Sequence, residues 1–170
     1  MTVYVALLRA VNVGGRKLVM ADLKAIAEEL GFEKARTFIA SGNLLLASSK
    51  SEAEVSSLLE ERLKKHMGVE VQVMVRTASE MAAIAKANPF RREPLSKVAV
   101  IFFEEPPPKD SIEQARGIAD EELALGRREI YVHYPSGMGR SKLRLPARAA
   151  GTARNMNSVA RLAQLAKEME

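Results

Sequence analysis

The sequence predicts an α+β protein made of two ferredoxin-like halves, each of the βαββαβ type, packed together. Three observations lead there. Between Val3 and Arg76, runs of strand period and helix period alternate as strand, helix, strand, strand, helix, strand, which is the ferredoxin-like order. The order starts again at Val98. A chain of 170 residues with 47% apolar and 28% charged content can bury a sizeable core and is not expected to be disordered. The halves are expected at residues 1–77 and 98–170, joined by a connecting helix and linker at 78–97.

Taken in order, Val3 to Val11 is β-branched and apolar and reads as a buried strand ended by Gly14-Gly15. Asp22 to Leu30 places Leu23, Ile26, Ala27 and Leu30 at helical spacing, with Gly31 as the C-terminal cap. Thr37 to Ala40 and Leu44 to Ala47 read as a hairpin about Ser41-Gly42-Asn43. Ser51 to Met67 is a helix opened by a Ser51–Glu54 capping box and stopped by Gly68. Val69 to Arg76 closes the first half as a strand. Ser79 to Ala87 is a helix, capped by Ser79 and ended by Asn88-Pro89.

In the second half, Val98 to Phe103 reads as a strand and Pro106-Pro107-Pro108 as a stiff connection. A helix is expected over Asp110 to Ala119, weakened by Gly117. Strands follow at Glu122 to Leu125 and Ile130 to Tyr134, then a helix from Asn157 to Met169. On this reading the second half repeats the first without its last strand.

Composition excludes several chemistries. The chain has no cysteine, so disulfides, thiolate nucleophiles and zinc–thiolate sites are out. Two histidines are too few for a histidine-rich metal site. The apolar run at Val3 to Val13 is interrupted by Arg9 and Asn12 and is too short to span a bilayer. A cytoplasmic location is expected, with no membrane partner, no cofactor and no metal, as a monomer or homodimer.

Charge is uneven. The net charge is +5, yet Ile130 to Lys167 alone holds seven basic side chains and no acidic one, leaving the rest of the chain slightly acidic. Two polar clusters lie inside that stretch. In Gly137-Met138-Gly139-Arg140-Ser141-Lys142, an arginine suited to bidentate contact and a lysine point charge flank a hydroxyl. Thr152-Ala153-Arg154-Asn155-Met156-Asn157-Ser158 stands at the start of the closing helix, where free amides attract anions, and it has more polar groups than one cap requires. In the first half, Asn12-Val13-Gly14-Gly15-Arg16-Lys17 follows a strand and precedes a helix, and Ser41-Gly42-Asn43 is a turn at a strand end. Each of these also has a plain reading as a turn, a cap or a solvated loop.

Five segments carry a family resemblance. Leu7 to Gly15, Ile39 to Leu44, Ala87 to Phe90, Gly137 to Leu143 and Thr152 to Val159 match in order and spacing, and the chain resembles the domain-of-unknown-function family numbered 1697. The resemblance implies a duplicated ferredoxin-like fold in bacterial cytoplasmic proteins, and carries no established activity, cofactor or catalytic residue. The chain departs from the family pattern at Met156, usually tryptophan, and at Ala10, usually glycine.

The expected function is recognition of an anionic, phosphate-bearing ligand, either a nucleotide-like small molecule or nucleic acid. The expected ligand-binding residues are Asn12, Gly14, Gly15, Lys17, Ser41, Asn43, Arg140, Ser141, Lys142, Thr152, Arg154, Asn155 and Asn157. The alternative is an enzyme acting on a small phosphorylated or carboxylated metabolite, for which no catalytic residue is identified. Base stacking would need Tyr131 and His133, which share one face of a strand, to stand open.

Overall fold

The computed structural model describes residues 1–12, 15, 17–146 and 151–170. Two four-stranded antiparallel sheets and four α-helices among these residues make an α+β fold. The chain divides into two compact units, Met1–Ala82 with Leu162–Glu170, and Ala83–Arg161.

In the first unit the elements are β1 (Thr2–Leu8), α1 (Met20–Glu29), β2 (Glu33–Thr37), β3 (Asn43–Ser48), α2 (Glu52–Met67) and β4 (Val73–Thr77). The strands lie in the order β2-β3-β1-β4. Alternate residues of the central strands, Tyr4, Ala6, Leu8, Leu44 and Leu46, form one core with Leu23, Ile26 and Ala27 of α1 and Val55, Leu59 and Leu63 of α2. The intervening residues Val5, Leu7 and Leu45 are fully buried too, which is why these strands read as continuous apolar runs.

Local chemistry fixes the helix ends. Gly31, at φ 85°, lets its own amide reach Glu28 O and the Phe32 amide reach Ala27 O, a Schellman closure of α1. Ser51 and Glu54 form the expected capping box, with reciprocal hydrogen bonds of 3.2 and 3.1 Å. Gly68 ends α2 in the left-handed conformation.

The second sheet holds β5 (Val98–Phe102), β6 (Glu122–Leu125), β7 (Glu129–His133) and β8 (Thr152–Asn155) in the order β6-β7-β5-β8. α3 (Ala78–Lys86) precedes it and α4 (Met156–Met169) follows it. Three expectations change here. The helix expected over Asp110 to Ala119 is absent. The chain makes a single turn, with the Gln114 amide donating to Asp110 O, and Arg116 then gives its amide and carbonyl to Arg144 instead. The supposedly missing last strand exists as β8, paired with β5 through Val100 opposite Arg154. Lastly, α3 is capped not by Ser79 but by Thr77, whose hydroxyl accepts from the Glu80 amide while the Glu80 carboxylate accepts from the Thr77 amide.

A small core of Phe103, Ile130 and Val132 lies on one face of the second sheet, with Leu143 and Leu145 packed against it. An irregular segment therefore covers the face that α1 and α2 cover in the first unit.

Candidate functional site

The loop after β1 and the turn before β3 are brought together in the first unit. Asn12 joins them: its Oδ1 accepts from the Leu18 amide at 2.8 Å, and its Nδ2 donates to Ala40 O. Asn12 adopts φ 57°, a left-handed conformation that asparagine tolerates. Ala10 adopts φ 58°, which favours glycine, so the glycine usual in the family suits this backbone better than the alanine present here. Asn43 is fully buried, and its Nδ2 donates to Phe38 O and Ser41 Oγ, each at 2.9 Å. Gly42 is required: at φ 83°, a Cβ would lie 2.5 Å from Val11 Cγ2. Gly15 is exposed at φ 86° and its carbonyl accepts from the Lys17 amide, while the Lys17 side chain is exposed. Gly14 lies outside the described residues. The amides of Asn12 and Asn43 are thus spent on holding two loops in place.

In the second unit, Arg140 ends a 3-10 turn that begins after Gly137, at φ 87°. Ser141 is extended and its hydroxyl accepts from the Leu143 amide. Arg140 and Lys142 are exposed. Gly117, at φ 74°, lies so close behind this segment that a Cβ there would be 2.1 Å from Lys142 O.

The closing motif divides by strand face. Thr152 and Arg154 are buried, whereas Asn155 and Asn157 are exposed. Arg154 Nη1 donates to Thr152 Oγ1 at 2.7 Å and to Ala153 O at 2.9 Å. Burial lowers its guanidinium pKa to about 10. Asn155 Oδ1 accepts from the Ser158 amide at 2.9 Å and so caps α4. Met156 is 2% exposed, which makes it core filler rather than a stacking surface.

Tyr131 and His133 are not open. Tyr131 is buried, donates to Ile84 O at 2.8 Å, and has its phenol pushed up to about 12 by burial and then by Glu129. The His133 ring lies between Glu122, 2.9 Å from Nδ1, and Glu93, 3.5 Å from Nε2, beside Phe90. These aromatic faces offer no platform for bases. Among the described residues, no group of three or more histidine, aspartate or glutamate side chains could hold a metal ion. No helix among them is long and apolar enough to cross a membrane.

Arg76 is a polar feature that composition did not flag. It is 1% exposed in β4, and its Nη1 donates to Val75 O. Arg76 pairs with Val5 of β1 as Arg154 pairs with Val100 of β5. Each arginine stands one residue before the residue that caps the next helix, Thr77 or Asn155. A lone basic residue inside an apolar strand, as in Val73-Met74-Val75-Arg76-Thr77, was the available signal.

Comparison with known proteins yields a family and a structure. The model of a family described as "Protein of unknown function (DUF1697)" matches residues 1–131. A solved structure of a conserved bacterial protein from Streptococcus pneumoniae is similar at 27% identity with a TM-score of 0.83, over 98% of this chain and 99% of that one. No curated protein matches.

Proposed function

The chain belongs to the DUF1697 family, and on that premise we propose that it is an anion-binding module that recognises a phosphate-bearing ligand. The observation that carries this reading is the pair Arg140 and Lys142, exposed on either side of Ser141 in a stretch that holds no carboxylate from Ile130 to Lys167. Neither Arg140 nor Lys142 forms an ion pair with a carboxylate among the described residues, and the acidic contact of this segment, Asp120, is made to Ser136 instead. Separately, Lys17 is an exposed cation of the first unit. Thr152 and Asn155 act as framework within the second unit, and Asn12, Ser41 and Asn43 within the first, since their side chains hydrogen-bond inside their own unit.

The finer fold reading is a duplicated ferredoxin-like unit, with halves at 1–77 and 98–170. Its support is the shared strand order, β2-β3-β1-β4 and β6-β7-β5-β8, and the matched arginines Arg76 and Arg154. In the second half, the described residues of the two crossovers contain no α-helix.

Titrating the whole chain with a panel of nucleoside phosphates and single-stranded oligonucleotides at low and moderate salt tests the function. Binding that weakens with salt, and that Arg140→Ala with Lys142→Ala reduces without lowering the melting temperature, is the expected result. A ligand bound equally well by that double variant, or no phosphate compound bound at all, overturns it.

A further inference from the structure

Arg116 and Arg144 form an isolated antiparallel bridge in which each amide donates to the other's carbonyl, at 2.8 and 2.7 Å. Residues directly opposite in such a bridge project from the same face. Two guanidinium groups therefore leave one rung on one side, and both residues are exposed. Lys142 joins them. Leu143 and Leu145 pack inward against Phe103, Ile130 and Val132, so the alternating residues Lys142 and Arg144 face outward. Like charges opposite one another across a bridge cost stability. Nothing nearby relieves the cost: among the described residues, Arg116, Arg140, Lys142 and Arg144 form no ion pair with a carboxylate. The geometry is also enforced from behind, because Gly117 brings its backbone against Lys142 O, where any larger residue would clash.

We propose that the Arg116–Arg144 rung, with Lys142 and Arg140 beside it, grips the phosphodiester backbone of a nucleic acid. The inference rests on the phosphate-binding reading above and narrows it to a ligand class and to two residues outside the sequence-predicted set. An exposed row of cations suits a polymer that repeats its charge, whereas a small ligand needs a concave site that buries most of it. Tyr131 and His133 lie on the opposite face of that sheet and are buried, and Tyr134, the aromatic on the rung's own side, is packed against the core of Phe103, Ile130 and Val132, so binding depends on phosphates and is indifferent to base sequence.

Fluorescence anisotropy of the whole chain with labelled oligothymidine and oligouridine of about twenty nucleotides, at roughly 50 and 200 mM salt, is the test. Both oligomers should bind alike. Arg116→Gln with Arg144→Gln should weaken binding by about tenfold and make the plot of log affinity against log salt shallower by about 1.4, from two lost phosphate contacts on a single strand. That variant should melt at the same temperature or higher, because a like-charge rung is relieved. If it fails to fold, Lys142→Gln should still flatten the slope by about 0.7. A folded rung variant that binds oligonucleotide as tightly as the parent overturns the rung but leaves the phosphate-binding reading standing. Inorganic pyrophosphate or ADP bound without any oligonucleotide overturns the polymer. No binding of any phosphate compound removes both readings.

Discussion

Tyr131 illustrates how a single side chain can look like a contact surface in sequence and be part of the interior. Its hydroxyl satisfies Ile84 O in a buried setting, so Tyr131→Phe should cost about 1 kcal/mol at pH 8 by leaving that carbonyl short of a donor. The cost should depend on pH. Burial holds the folded phenol near 12, above the ordinary 10. The unfolded chain therefore ionises first, and the wild type loses stability as pH rises from 10 to about 12, while the phenylalanine variant has no such loss. Denaturant titrations of both proteins across that range should show the gap closing and then reversing. A constant gap would mean that the phenol is not held neutral by the fold. At this scale the caps of α2 and α4 were legible, because Ser51 with Glu54, and Asn155 before an apolar helix, are local patterns, whereas the cap of α3 fell on Thr77 instead of Ser79. The burial of Arg76 and Arg154 was not, since a guanidinium in a strand reads as surface until the tertiary environment is known.

Two of the elements that sequence missed are shaped by a partner distant in the chain, β8 by β5 and the Arg116 segment by Arg144, whereas β2 pairs with its neighbour β3 and is hidden by its composition. β2 spans Glu33-Lys34-Ala35-Arg36-Thr37, a charged edge strand with a register shift between Glu33 and Arg36 and Lys34 at φ 54°. Its alternation is broken, so the sequence pattern points instead to Thr37 to Ala40. β8 buries Thr152 and Arg154 and exposes Ala153 and Asn155, which inverts the usual polarity signal. The expected helix at Asp110 to Ala119 gives way to the Arg116–Arg144 bridge, and Gly117 permits it. Gly117→Ala should destabilise the protein by about 2 kcal/mol or more, from left-handed strain and the clash with Lys142 O. Hydrogen exchange should locate the damage, with faster exchange at the amides of Arg116 and Arg144 than elsewhere in the second sheet. Uniform loss of protection would show that the bridge is no weaker than its surroundings.

For the whole molecule, two alternating patterns in one sequence were enough to foresee an α+β fold and the helices α1 to α4, but not the absence of a helix over Asp110 to Ala119. They could not foresee that the first unit takes its last piece from the far end of the chain. Leu162, Leu165 and Ala166, all buried, belong to Leu162–Glu170 and hence to that unit, and Lys34 Nζ donates to Met169 O there. Removing residues 162–170 should therefore lower the stability of the first unit by several kcal/mol, at about 1.5–3 kcal/mol for each buried leucine. Exchange protection in β1 and β3 reports it directly. Unchanged protection in those strands would show that the segment contributes nothing to their stability.

That discontinuity also bears on how the molecule is born. A ribosome releases Met1 to Ala82 first, then Ala83 to Arg161, and only afterwards the segment that completes the first unit. The earliest part made is thus the latest finished. β1 to β4 must wait, partly covered, while an entire second sheet emerges, and the closing step joins residues far apart in the chain, the slow kind of contact.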